Sequence, residues 1–269
     1  MPSIENGEVR IFFDVLGSGA PLVLGHSFLC SGEMWRPQLQ QLAERRRVIN
    51  IDYRGHGRSG EASGAVTLYD MVGDVLAVLD HLGIDRAIWA GLSIGGMIAM
   101  RAALIAPERV SGLILLDTDA GAETAYKRLK YQAMATGIRV VGMRPFLPAI
   151  IPLFFGRTTR KSNPSLVAEW RTKFAATHIP SMICILEALR SRDSVVSRLG
   201  EIRVPSLVIG GAEDVSLPPS HSRQIAAALP DSSLVIVPGA GHLSNLEQPG
   251  AVTADMLGFL ERVTTSAAP

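Results

Sequence analysis

The chain is short of several features that would mark other protein classes. Two cysteines, Cys30 and Cys184, occur in 269 residues, too few for a disulfide framework or a cysteine-built zinc site. Charge of one sign is not in excess: 26 Lys and Arg stand against 25 Asp and Glu, so the basic footprint of a nucleic-acid binder is missing. No apolar run reaches the roughly 18 to 20 residues that span a bilayer. The nearest, Ala149 to Phe155, is interrupted by Pro148 and Pro152 and reads as buried or pocket-lining. The polar, acidic N-terminus has no basic segment followed by an apolar one, from which we expect no signal peptide and a cytoplasmic location. No histidine pair has i, i+4 spacing beside a carboxylate, so no metal site is expected. What remains, 47% apolar and 19% charged residues with 26 Gly and 16 Pro, is the balance of an enzyme-sized globule. The length allows one large domain, or one with an insertion.

The chain divides by pattern. Val9 to Leu16 reads as a strand or hairpin arm before the turn cluster Gly17 to Pro21. Short aliphatic runs at 22–24, 47–51, 87–90 and 113–116 then alternate with helical spacing at 35–43, 68–82 and 94–105. Continuous apolar strands separated by helices predict a parallel sheet covered on both faces. The rhythm resumes with strands at 206–209 and 234–237 and helices near 220–228 and 251–261. Residues 121–203 lack a strand, carry helix-like segments punctuated by prolines, and hold 14 Lys and Arg against 5 Asp and Glu, against 12 and 20 in the remainder. We expect a helical cap over 121–203 inserted into a core formed by 1–120 and 204–269, with a frayed tail from Thr264.

The segment Gly91-Leu-Ser93-Ile-Gly95 is G-x-S-x-G where a strand ends and a helix begins. A serine at the apex of so sharp a turn is strained, and the flanking glycines keep Cβ atoms clear of it. The helix starting at Ile94 turns free N–H groups toward the point where an oxyanion would form. Serine needs a base held by a carboxylate. His242 lies in the loop Gly239-Ala-Gly241-His242 after a strand, and Glu213-Asp214 follows another strand. The order Ser93, Asp214, His242 is that of hydrolases built on α/β sheets. Asp117 and Asp119 are alternatives to Asp214, and Glu213 reads as a solvated neighbour.

On Gly25-His26-Ser27-Phe28, Asp52-Tyr-Arg54-Gly-His56-Gly-Arg58, Gly91-Leu-Ser93-Ile-Gly95, Gly211-Ala-Glu-Asp214 and Gly241-His242, nearly the whole chain resembles the α/β-hydrolase fold superfamily. In motif it is closest to 3-oxoadipate enol-lactonase-like carboxylesterases. The resemblance implies a mostly parallel eight-stranded sheet with a helical cap. It implies Ser93 as nucleophile, His242 as base, Asp214 as its orienter, and the Phe28 and Ile94 N–H groups as oxyanion hole. It departs at Ser27, where the family usually has Gly. A lost oxyanion donor typically costs about 3 kcal/mol.

The expected reaction is hydrolysis of a small ester or lactone without a cofactor, with no nucleic-acid or membrane partner. A carbon–carbon bond hydrolase, a perhydrolase and a hydrolase-like small-molecule receptor are alternatives. Gly55-His-Gly57-Arg-Ser-Gly60 also fits a dinucleotide-binding pattern, but no helix opens inside it. His26 is expected to support the oxyanion loop, His56 to sit in a turn, and His81 and His221 to lie at the surface. Of the apolar residues of 121–203, Trp170, Phe174 and Met182 are expected to contact substrate. Nothing in the sequence addresses oligomeric state.

Overall fold

A computed structural model describes residues 2–266. In chain order its elements open with β1 (Ser3–Asn6), β2 (Val9–Leu16), β3 (Pro21–Gly25), α1 (Arg36–Ala43), β4 (Arg47–Asp52) and α2 (Leu68–His81). Next come β5 (Ala87–Leu92), α3 (Ile94–Ile105) and β6 (Val110–Leu116). Five helices follow: α4 (Ala125–Val141), α5 (Leu147–Phe154), α6 (Arg157–Ser162), α7 (Pro164–Ala175) and α8 (Ile179–Ser191). The chain closes with β7 (Ser206–Gly211), α9 (Pro219–Ala228), β8 (Ser232–Val237), α10 (Ser244–Glu247) and α11 (Pro249–Ser266).

The eight strands form one sheet in the order β1-β2-β4-β3-β5-β6-β7-β8. The first two pairings are antiparallel and the rest parallel. This is the α/β fold expected, with one strand more than the pattern revealed: β1, Ser-Ile-Glu-Asn, is a short polar edge strand. The tail expected from Thr264 is helical to Ser266, and residues 267–269 lie outside the described residues.

Side-chain alternation splits the core in two. Val23, Ile49, Ile51, Trp89, Leu113 and Leu115 face α2, α3 and α9. Their neighbours Leu22, Leu24, Val48, Ile88, Ala90, Ile114 and Leu116 face α1 and α11 on the other side. A sheet buried on both faces admits few polar side chains within its strands, Asn50 of β4 among them, so most collect at the strand ends. Register then decides which ends meet: Gly25 pairs with Gly91, Leu92 with Leu116, and Gly211 with Val237. The loops after β3, β5, β6, β7 and β8 therefore lie side by side.

Between β6 and β7 the described chain is helical. Its prolines mark helix starts, where a missing N–H costs nothing: Pro148 in α5, Pro164 in α7 and Pro180 in α8 occupy first-turn positions, and only Pro152 lies inside a helix. Buried residues of these helices, among them Ile138, Ile150, Phe154, Trp170 and Phe174, continue the α1/α11 core. No helix among the described residues is long and apolar enough to cross a membrane.

Candidate active site

Ser93 sits between β5 and α3 with φ 56° and ψ −113°, a conformation costly to any residue with a side chain. A Cβ at Gly91 would collide with the backbone of Gly95, and one at Gly95 with the backbone of Gly25. The turn therefore closes only with glycine on both sides. Ser93 N–H donates to Leu116 O at 2.9 Å, and Thr118 Oγ1–H donates to Ser93 O at 2.6 Å, so the end of β6 holds the strained turn from below. Among the described residues, the non-glycine residues with positive φ are Leu29, Ser93 and Asp117. All three stand at these strand ends.

His242 Nδ1 lies 2.8 Å from Asp214 Oδ2, the geometry of an imidazole N–H donating to a carboxylate. The other Asp214 oxygen accepts the N–H groups of Ser216 and Leu217 at 2.8 and 3.0 Å. Burial alone would lower the His242 pKa. The charge and hydrogen bond of Asp214 outweigh it, with Asp117 and Glu247 adding to them, and the net direction is up. The His242 loop is held by Glu247, which accepts N–H groups from Gly241, Leu243 and the distant Gly156 at 2.9, 3.2 and 2.8 Å. Sequence reasoning missed Glu247, because most of its partners are backbone groups that leave no side-chain pattern.

The alternatives to Asp214 are engaged elsewhere. Asp119 pairs with Arg192 at 3.0 Å and His221 at 3.1 Å, so His221 is half-buried in a network rather than free at the surface. Asp117 is buried, accepting from Gly211 N–H at 2.6 Å and from the Ser244 hydroxyl at 2.5 Å. Glu213 is no bystander either: it accepts the N–H and hydroxyl of Thr158 at 2.7 and 2.6 Å, in the first turn of α6.

Ser27, Phe28, Ser93 and His242 line one cavity of about 100 Å³. The Ser93 hydroxyl makes no hydrogen bond among the described residues, to His242 or to any other group. Catalytic contacts are often this loose before substrate tightens them. The N–H groups of Phe28 and Ile94 have no acceptor among the described residues. His26 braces the loop after β3: its ring bridges Ser27 O at 2.7 Å and Tyr53 N–H at 2.9 Å. The loop Gly55 to Gly60 closes on itself, with Gly55 N–H donating to Gly60 O at 2.8 Å. The next helix, α2, begins only at Leu68 behind a Thr67–Asp70 capping box, so no helix N-terminus opens inside the glycine loop. Arg54 forms a bidentate pair with Asp74 of α2, both contacts at 2.6 Å. Asp52 ties the strand end, accepting N–H groups of Gly32 and Arg58 at 2.7 and 2.9 Å.

Of the three residues expected to contact substrate, Met182 lines the cavity. Trp170 and Phe174 do not. Phe174 packs behind Phe154, ring centroids 4.8 Å apart, and it is Phe154 that meets the cavity and the His242 ring edge-on at 5.7 Å. Trp170 lines a separate cleft of about 530 Å³. Helical spacing does not distinguish an inner wall from the layer behind it. Met134, Ile138, Ile150 and Leu153 are among the other apolar residues of the wall, with Lys127, Glu123 and Arg192 as its charged part. Among the described residues no cluster of three His, Cys, Asp or Glu is placed to hold a metal ion.

Comparison with known proteins agrees with this architecture. A family model described as the alpha/beta hydrolase fold matches residues 20–249. A protein of Azorhizobium caulinodans provisionally named carbamate hydrolase RutD is 30% identical over 96% of this chain and 98% of its own. The solved structure of a thermophilic esterase from Thermogutta terrifontis superimposes with a TM-score of 0.91 at 29% identity, covering 95% of this chain and 94% of that one. An enol-lactonase from Burkholderia xenovorans LB400 does so with a TM-score of 0.90 at 29% identity, covering 97% and 100%.

Proposed function

The chain belongs to the α/β-hydrolase family, and on that premise we propose that it is a serine hydrolase that cleaves a small carboxylic ester or lactone through an acyl-enzyme, with α4 to α8 as the cap over its cavity. The observation that carries this reading is the meeting of Ser93 and His242 on one cavity wall, with His242 bonded to Asp214 at 2.8 Å.

In the first step His242 Nε2 takes the Ser93 proton as Oγ attacks the carbonyl carbon, and the carbonyl oxygen, now an anion, accepts the Phe28 and Ile94 N–H groups. Asp214 stabilises the imidazolium that forms. His242 then gives its proton to the leaving alkoxide, which departs from an ester and stays tethered in a lactone. Water, deprotonated by His242, attacks the acyl-enzyme; the proton returns to Ser93 as the acid is released. Base and oxyanion contributions of this kind are worth about 10² to 10⁴ and 10² to 10³ in rate.

Away from Ser93 and His242, the charged residues on the wall are Lys127, Glu123 and Arg192. Arg192 is neutralised by Asp119 and Glu123, each at 3.0 Å, whereas the Lys127 ammonium donates to the carbonyl of Ser216 at 3.3 Å. A substrate carboxylate would therefore be met by Lys127. The test is labelling with a fluorophosphonate probe, followed by a panel of neutral esters, anionic esters, lactones and carbamates at low and high salt. Wild type should label; S93A and H242A should not; D214N should lose about 10⁴-fold in kcat. Equal labelling of S93A would remove the nucleophile. Turnover of carbamates alone would replace the ester and lactone reading by that of the RutD relative.

A further inference from the structure

We propose that Asp117 is a positioning residue that straps the Asp214 loop to the His242 loop. This rests on the catalytic reading of Ser93, His242 and Asp214, and adds to it the device that keeps the last two in one frame. Asp117 follows β6, the strand between β5, which ends just before Ser93, and β7, which leads to Asp214. Its N–H donates to Ile209 O at 2.9 Å. One carboxylate oxygen accepts the N–H of Gly211 at 2.6 Å, and Gly211 O in turn accepts the N–H of Asp214 at 3.2 Å. The other accepts the hydroxyl of Ser244 at 2.5 Å, two residues beyond His242. A single side chain thus reaches both loops, and its neighbour Thr118 bonds Ser93 O.

Two costs single out the residue. Asp117 has φ 45°, a left-handed conformation that short polar residues tolerate best. It is also 1% exposed, a carboxyl out of water beside a second one. Burial first, then the charge of Asp214, push it up to about 8, against the pull of His242, Ser244 and Gly211. An apolar residue would avoid the second cost but would leave the Gly211 N–H and the Ser244 hydroxyl without their acceptor. The charged or titratable groups acting on this pair from the surrounding elements are Asp214, His242 and Glu247.

The experiment compares D117N, D117A and S244A. Asparagine tolerates the left-handed backbone, keeps an acceptor for Gly211 and donates to the Ser244 oxygen, so D117N preserves the strap without an ionisable group. D117N should keep kcat within about threefold of wild type at pH 7. D117A should lose ~10- to 100-fold in kcat with little change in KM, the signature of a displaced rather than a missing group. S244A, which cuts one arm, should fall between them. The downfield NMR signal of the His242 Nδ1 proton should persist in D117N and vanish or broaden in D117A. The pH dependence of that signal in wild type should differ from that in D117N, which lacks the raised carboxyl. Folded D117A with wild-type kcat and an intact His242 signal overturns the proposal, as does D117N impaired as severely as D117A. If D117A does not fold, S244A decides by the same kcat and NMR readouts, and wild-type values for it overturn the strap. If wild type itself fails to label, the hydrolase reading falls, while the His242 signal still decides the strap.

Discussion

At the strand ends the polar side chains of the site are fixed by hydrogen bonds whose partners come from neighbouring strands: Asp214 to His242, Asp117 to Gly211 and Ser244, Thr118 to Ser93. Along α4 to α8 the wall of the same cavity is fixed mainly by apolar packing, in layers such as Phe154 on Phe174 and Phe174 on Trp170. One region is specified atom by atom and the other by volume. Removing a hydrogen bond at a strand end should cost chemistry, whereas truncating a side chain of the helices should cost stability or fit.

The largest effect expected from the helices falls on stability. Phe174 is fully buried and separated from the cavity by Phe154. F174A should lower unfolding stability by about 3–5 kcal/mol, read as a lower urea midpoint, and leave the order of preference among esters as in wild type. A changed order with little loss of stability would break the distinction between the two layers.

A second prediction concerns acid. Burial pushes His26 down to about 4 and His56 down to about 3, each against an opposing backbone hydrogen bond. Both imidazoles are therefore neutral in the folded protein at pH values where the unfolded chain, near the ordinary 6.5, has begun to bind protons. The stability they contribute is fully present above about pH 6.5 and is lost as pH falls through the folded values. For His26 that loss is on the order of 3 kcal/mol by pH 4. Urea midpoints should fall between pH 6.5 and 4, and less steeply in H56N. An unchanged slope in H56N would move the acid sensitivity away from the strand ends.

The two regions also differ in how far they can be read from the amino-acid order. Ser93, Asp214 and His242 each follow a strand in a loop rich in glycine, a local grammar that exposes them before any coordinates. Chain order favours Asp214 over Asp119, but the reason Asp119 is occupied is visible only in the fold, where Arg192 and His221 claim it from elements far along the chain. Glu247 and the strap at Asp117 are hidden for the same reason: their partners are backbone groups, or a serine or threonine, drawn mostly from other segments. β1 escapes because four polar-flanked edge residues carry too little alternation. Among the helices, apolar spacing identifies buried faces but does not separate Met182, which lines the cavity, from Trp170 and Phe174, which do not.

The smallest effect tests that last point. Met182 is an unbranched side chain on the cavity wall, a type that fills irregular space, while Trp170 stacks under Lys173 at 4.5 Å beside the other cleft. Shortening Met182 adds room where an acyl group would lie, and a difference of about a methylene in such a pocket is worth roughly tenfold in discrimination. M182A should therefore shift kcat/KM toward bulkier esters by about threefold to tenfold, with labelling at Ser93 retained. W170A should leave that ratio unmoved, because its ring abuts the larger cleft and the removed volume opens there. If the ratio moves in W170A as much as in M182A, the two spaces act as one binding site, and the helical wall is thinner than the packing of Phe154 on Phe174 implies.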